Sequence, residues 1–173
     1  MKKLLSLVLV LALCSISSAM VINITNAAGE SEISGLVNSD YVDLLVWYTG
    51  TEGMASFDIE LGSDNHAAGT LAQPVLHGGS LPYVGPGMTL DWEIANATQS
   101  PPLASGILNP LATVTFHCEG PGDVVISGLY VFVTNSNNEE VVPTINGMII
   151  HQIPEPATIA LLCLGGLLLR KKR

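Results

Sequence analysis

The segment Gly53-Met54-Ala55-Ser56-Phe57-Asp58-Ile59-Glu60-Leu61 shows most clearly which kind of fold this chain adopts. Apolar residues at positions 55, 57, 59 and 61 alternate with polar or acidic residues at 56, 58 and 60. A period of two places successive side chains on opposite faces of a strand. We therefore predict a strand here, with its apolar face in a core and its acids toward solvent.

The same alternation recurs outward from this segment in both directions. Further strands are expected over residues 90–94, 112–118, 42–48, 124–133 (interrupted at Gly128) and 147–151. The strand over 42–48 has a second apolar face at Leu45 and Trp47, which indicates a central strand or a contact surface. Gly- and Pro-rich turns separate these segments, and residues 62–87 are expected to form a long irregular loop. The predicted fold class is all-β, an antiparallel β-sandwich.

Targeting signals flank this predicted sandwich. Lys2 and Lys3 precede an apolar run, and the small residues that end at Ala19 complete a signal peptide over residues 1–19. We expect a signal helix there and cleavage after Ala19. The exported domain is then predicted to cover residues 20–152.

The C-terminal segment, residues 153–173, has a proline-bracketed acid, an apolar run and a basic end. Its parts are Pro154, Glu155 and Pro156, then residues 157–169, then Arg170, Lys171, Lys172 and Arg173. An apolar run of that length makes a helix of only about 20 Å, against a hydrocarbon core of about 30 Å, so length alone also fits a buried helix. The basic end favours a transmembrane helix over 157–169, because cations stay on the cytoplasmic side.

Charge divides the chain sharply. All six Lys and Arg residues lie in the two signals, whereas 14 of the 15 Asp and Glu residues, all but Glu155, lie between residues 20 and 152. Such an acidic surface repels the phosphates of nucleic acid, so nucleic acid is not an expected partner. The predicted domain contains one cysteine, Cys118, so it cannot form an internal disulfide.

The tail resembles the PEP-CTERM sorting signal of bacteria that secrete exopolysaccharide. Pro154-Glu155-Pro156 matches its tripeptide, residues 157–169 its transmembrane helix and residues 170–173 its basic end. The resemblance implies recognition by an exosortase, membrane anchoring before processing, and then a cell-surface or extracellular location.

The predicted sandwich resembles a cohesin-type module within the broader fold shared with carbohydrate-binding modules. The matching segments are Gly53–Leu61, Leu111–His117 with the turn Gly120–Asp123, and Asn146–Ile150. The resemblance implies a cohesin-like jelly roll that binds a dockerin module through one sheet face. Members usually carry a Tyr-Asp-Pro turn where this chain has Gly62-Ser63-Asp64-Asn65, and no dockerin-contacting residue can be transferred from them.

Catalytic motifs are scarce. There is no Gly-x-Ser-x-Gly elbow and no His-Glu-x-x-His metal motif. Cys118 shares the parity of Val114 and Phe116 and is expected in the core, where a lone cysteine behaves as a small apolar residue. We therefore expect a non-enzymatic protein.

Two kinds of binding site remain as sequence hypotheses. Calcium prefers oxygen ligands, and Asp58, Glu60, Asp91 and Glu93 would form one acidic patch if their two strands were neighbours. Glycans stack on exposed aromatic residues, for which Trp47, Tyr83 and Tyr130 are the candidates; Trp92 shares core parity instead. The expected function is a surface or matrix binding module for a dockerin-like partner, with a carbohydrate-binding module or an acidic structural matrix component as alternatives.

Overall fold

The computed structural model describes residues 20–78, 82–87, 91–96 and 102–154 of the chain, and these residues are all-β. The strands are Val21–Asn26 (β1), Glu32–Leu36 (β2), Tyr41–Thr49 (β3), Met54–Ser63 (β4), Gly69–Leu71 (β5), Val75–Leu76 (β6), Pro82–Pro86 (β7), Trp92–Asn96 (β8), Ala112–Cys118 (β9), Gly122–Asn135 (β10), Glu140–Val141 (β11), Thr144–Asn146 (β12) and Met148–Gln152 (β13). Within these ranges, no helix has the length and hydrophobicity needed to cross a membrane. The helices predicted over 1–19 and 157–169 lie outside the described residues.

The strands form two sheets. The first sheet has the order β12-β1-β3-β9-β5, with β6 also paired to β9. The second sheet has the order β2-β13-β10-β4-β8-β7, with β11 also paired to β10. Two of the pairings, β1 with β12 and β2 with β13, are parallel, so the prediction of a purely antiparallel sandwich was wrong in this detail.

The core lies between the inward faces of the two sheets. Alternate residues of β4 (Phe57, Ile59, Leu61) and of β9 (Val114, Phe116, Cys118) are at most 2% exposed. These are the parities that the sequence predicts for the core face, and the burial of Cys118 confirms its expected position. The core also encloses Tyr48, whose hydroxyl donates a hydrogen bond to the carbonyl of Leu103 and accepts one from the Met54 amide at 3.1 Å.

The region predicted as a long irregular loop, residues 62–87, departs most from expectation. It contains β5, β6 and β7, which have three, two and five residues. β5 and β6 are too short to show alternation, and β7 carries proline at both ends, which is tolerated because β7 is an edge strand. Strand β1 was also not predicted from the sequence, although Ile22 and Ile24 are both buried.

Strand β10 is irregular where the sequence predicts a break. Its register against β4 shifts between Gly128 and Val131, so Leu129 and Tyr130 have no partner in the ladder. A side chain at position 128 would be tightly packed, because a Cβ atom there would lie 3.1 Å from Ile145 Cδ1 of β12. This β-bulge turns the middle of β10 outward at the surface of the second sheet.

Candidate functional site: the outer face of the second sheet

The surface of the second sheet that points away from the core is the main candidate site, and we call it the outer face. Its members alternate with the buried residues of their strands. It consists of Tyr83 and Gly85 from β7, Glu93 and Ala95 from β8, Ser56, Asp58 and Glu60 from β4, Val125, Leu129, Tyr130, Phe132 and Thr134 from β10, and Ile149 from β13.

Large apolar side chains are exposed along the β10 part of this face. Leu129 and Tyr130, in the bulge, are 64% and 56% exposed, and Phe132 is 37% exposed. Val125 and Ile149, which are directly opposite each other in the β10–β13 ladder, extend the apolar surface toward β2. Exposed apolar residues that group on one face mark interaction surfaces, whereas scattered ones do not.

Carboxylates gather beside this apolar surface, where β4 pairs with β8. Glu60 lies directly opposite Glu93 in the ladder, and Asp58 lies opposite Ala95. Glu60 is only 6% exposed, and the Asp58 Oδ1 atom is enclosed without a hydrogen-bond partner among the described residues. The prediction that Asp58 and Glu60 face away from the core is confirmed, but Glu60 is covered rather than solvated.

This crowding changes the protonation of Asp58. Burial raises the pKa of the Asp58 carboxyl, and the negative charges of Glu93 and Glu60 raise it further. A proton on Asp58 also lets the two carboxyl groups of Asp58 and Glu93 form a hydrogen bond. The cluster therefore takes up a proton more readily than a solvated aspartate does.

Asp91, the fourth residue of the predicted calcium patch, has other partners. Its carboxylate accepts a hydrogen bond from the Ser63 amide at 3.0 Å, and it contacts His66 Nε2 at 2.5 Å. Among the residues that the structure describes, no group of three or more His, Cys, Asp or Glu side chains has the arrangement of a metal site. Calcium binding by Asp58, Glu60, Asp91 and Glu93 remains a prediction from the sequence.

The three predicted glycan-stacking residues do not form one platform. Tyr83 and Tyr130 lie on the outer face, in β7 and β10, and both are exposed. Trp47 lies in β3 of the first sheet and is half-buried. Trp92 turns inward as predicted, and its indole N–H donates a hydrogen bond to the Leu71 carbonyl at 3.0 Å.

Histidines are the basic side chains that contact carboxylates in the described part of the chain, because that part contains no Lys or Arg. His151 on β13 contacts Asp123 at 2.7 Å through Nδ1 and Glu32 at 3.1 Å through Nε2. The hydrogen bond with Asp123 is the main reason why the pKa of His151 is raised. These two contacts link β2, β13 and β10, at the side of the second sheet that lies farthest from Asp58, Glu60 and Glu93.

Sequence comparison assigns the tail. Residues 152–173 match the model of the PEP-CTERM protein-sorting motif. The chain ends in a PEP-CTERM sorting signal. Such a signal indicates exosortase-dependent export, and the match confirms the resemblance seen in the tripeptide, the apolar run and the basic end. None of the curated proteins matches the chain.

Structural comparison assigns the fold of the sandwich. A cohesin from a type I cohesin–dockerin complex of Clostridium thermocellum aligns with a TM-score of 0.62 at 7% identity, over 80% of this chain and 96% of that chain. The cohesin module of a family 33 glycoside hydrolase from Clostridium perfringens gives 0.62 at 11% identity, over 80% and 100%. A non-cellulosomal cohesin from Archaeoglobus fulgidus gives 0.59 at 9%, over 83% and 97%. The sandwich has a cohesin-like fold.

Apart from Tyr130, the exposed apolar residues of β10 and β13 were not predicted from the sequence as part of a site. The sequence does contain a pattern that indicates them, because Val124-Val125-Ile126 and Met148-Ile149-Ile150 are apolar at both the odd and the even positions. One parity of each run is buried in the core, which leaves Val125 and Ile149 on the outer face. An apolar run on both parities of a strand at a sheet surface thus indicates a second contact face.

Proposed function

We propose that this chain is an exported, non-catalytic surface protein whose sandwich binds a dockerin-like module of another protein through the outer face. The observation that carries the proposal is the group of exposed apolar residues on this face, Leu129, Tyr130, Phe132, Val125 and Ile149. It has the composition of an interface centre, with aromatic and aliphatic residues, and it has carboxylates at one side. The structurally similar cohesin of Clostridium thermocellum, which was solved in a cohesin–dockerin complex, supports this class of partner.

The proposed route to the surface uses both ends of the chain. The signal peptide, residues 1–19, is cleaved after Ala19, and the precursor stays anchored by the helix over 157–169 with Arg170–Arg173 on the cytoplasmic side. An exosortase reads Pro154-Glu155-Pro156 and cuts the chain near it. The domain over residues 20–152 then reaches the cell surface or the extracellular space.

Two exposed aliphatic residues allow a matched test of the binding face. Leu129 is 64% exposed on the outer face, and Val75 is 61% exposed on β6 of the first sheet. We would measure binding of the full chain, in detergent, to a panel of purified dockerin modules. Leu129→Asp places a charge in the proposed apolar contact and should weaken binding at least about tenfold, whereas Val75→Asp should leave it unchanged.

The experiment distinguishes loss of folding from loss of the binding surface. Thermal melting of both variants first shows that each remains folded. The proposal fails if no dockerin module in the panel binds the wild-type chain. It also fails if Val75→Asp weakens binding as much as Leu129→Asp does, because the first sheet would then be the contact surface.

A further inference from the structure

A groove on the first sheet forms a second candidate site, remote from the outer face. It lies across β12, β1 and β3 and beneath the loop that follows β1, with a volume of about 560 Å³. This volume is within the range of roughly 300–1,000 Å³ that small-molecule sites occupy. The residues that line it include Asn23, Thr25, Ser31, Trp47, Ile145 and Asn146.

Three of these residues form a row across three adjacent strands. Asn23 of β1 is directly opposite Trp47 of β3 on one side and directly opposite Asn146 of β12 on the other. Directly opposite residues share a face of the sheet, with Cβ atoms about 4.5–5.5 Å apart. Ile22 and Ile24 are buried in the core, so the row faces away from it.

The indole of Trp47 is fixed within this row. Its Nε1–H donates a hydrogen bond at 2.9 Å to the hydroxyl of Thr25, which is 5% exposed. Because this contact uses the one polar group of the indole, what Trp47 adds to the groove is an apolar ring held in place. A ring that is already ordered loses little conformational entropy when a ligand packs against it.

The amide groups beside the ring are only partly satisfied. Asn146 Nδ2 donates to Asn23 Oδ1 at 2.9 Å, which orders both side chains. Within the described ranges, neither Asn146 Oδ1 nor the Ser31 hydroxyl has a hydrogen-bond partner. The groove therefore offers hydrogen-bonding atoms next to an apolar ring.

The groove is also electrically neutral, in a domain that is otherwise strongly acidic. None of its described lining residues is charged, although 14 acidic residues lie between residues 20 and 152. An anionic ligand would find no cation there, and a metal ion would find no carboxylate. A purely apolar ligand would leave the amide groups unpaired at a cost. A neutral polyhydroxylated ligand satisfies both the ring and the amide groups.

We propose that the Asn146–Asn23–Trp47 row binds a neutral saccharide, with one sugar ring packed on the indole and its hydroxyls paired with Asn146 and Ser31. This activity is independent of the partner-binding function assigned to the outer face, because the two surfaces lie on opposite sheets. One molecule could therefore hold a protein partner and a glycan at the same time.

Tryptophan fluorescence tests the proposal directly. The chain contains two tryptophans, Trp47 and Trp92, so Trp92→Phe leaves Trp47 as the sole reporter. The full chain with this substitution, in a zwitterionic detergent that contains no sugar, would be titrated with hexasaccharides of glucose, xylose and mannose. Polygalacturonate serves as the charged comparison. We expect a saturable change in Trp47 emission with at least one neutral hexasaccharide and none with polygalacturonate.

A matched pair of asparagine variants completes the test. On the same background, Asn146→Leu removes the amide in the groove, and Asn137→Leu removes an exposed amide in the turn between β10 and β11. Asn146→Leu should weaken binding at least about tenfold and Asn137→Leu should not, with melting curves showing that both are folded. The proposal is overturned if no neutral hexasaccharide changes the emission, if polygalacturonate binds equally well, or if the two variants lose binding alike.

Discussion

At the scale of single residues, the Asp58 carboxyl on the outer face lies in surroundings that disfavour its ionised form. Its Oδ1 atom is enclosed and has no hydrogen-bond partner in the part of the chain that the structure describes, and the charges of Glu60 and Glu93 oppose its ionisation. Its pKa in the folded protein is raised, so the folded state binds a proton more tightly than the unfolded state does. Ionised Asp58 therefore destabilises the fold. This penalty is absent below the unfolded pKa of about 3.9 and grows as the pH rises through the folded pKa.

Asp58→Asn should consequently stabilise the protein at neutral pH. The amide cannot ionise and can donate a hydrogen bond to Glu93, so we expect a gain of roughly 0.2–1 kcal/mol, or about 1–4 °C in melting temperature. Glu140→Gln, which removes one charge from an exposed position on β11, is the control. Melting curves at pH 7 and pH 3 check the prediction. An equal gain from Glu140→Gln, or a gain from Asp58→Asn that persists at pH 3, would contradict it.

The sequence predicts the face on which these carboxylates lie, but neither that their strands are neighbours nor how far they are covered. Alternation alone places Asp58, Glu60 and Glu93 on the face away from the core, and the structure has them there. That Glu60 is 6% exposed depends on which strands lie beside β4, and alternation carries no information about neighbours. The partners of Asp91 are equally non-local, since Ser63 and His66 belong to the end of β4 and the segment after it.

At the scale of elements, the short edge strands mark the limit of pattern reading. β4, β8, β9 and β10 are long or regular enough for their alternation to be seen. β5 has three residues and is held instead by close packing on β9. Gly69 of β5 lies against the ring of Phe116, and a Cβ atom there would also come within 2.5 Å of the His117 carbonyl oxygen. This contact explains why β5 is a strand, although the sequence predicts an irregular loop over residues 62–87.

Gly69→Ala should therefore loosen β5 from the first sheet. Either the Phe116 ring or the β9 backbone must move, and overpacking of this kind costs about 1–3 kcal/mol. Gly50→Ala is the control, because the nearest atom to a Cβ there is 3.7 Å away and the backbone is not left-handed. Urea unfolding of the two variants measures the difference. If they lose the same stability, or none, the close contact at Gly69 does not hold β5.

At the scale of the whole molecule, charge separates the two ends of the chain from the sandwich between them. Every Lys and Arg lies in residues 1–3 or 170–173, and the sandwich between them is acidic. The sandwich presents two surfaces of different chemistry: an outer face on one sheet, with exposed apolar residues beside carboxylates, and a groove without charged lining residues on the other. The cohesin-like fold accounts for the scaffold, while the PEP-CTERM signal accounts for its export.

The processing of the tail tests the central claim, delivery of this sandwich to the outside, most directly. We would determine the intact mass of the protein released from producing cells and of the membrane-bound form. Because no Lys or Arg lies between residues 4 and 169, trypsin has no cleavage site within the sandwich. The mass of the sandwich can therefore also be checked after tryptic digestion. The account predicts a released form that begins at Met20 and has lost Arg170–Arg173. A released form that retains Arg170–Arg173 would contradict it.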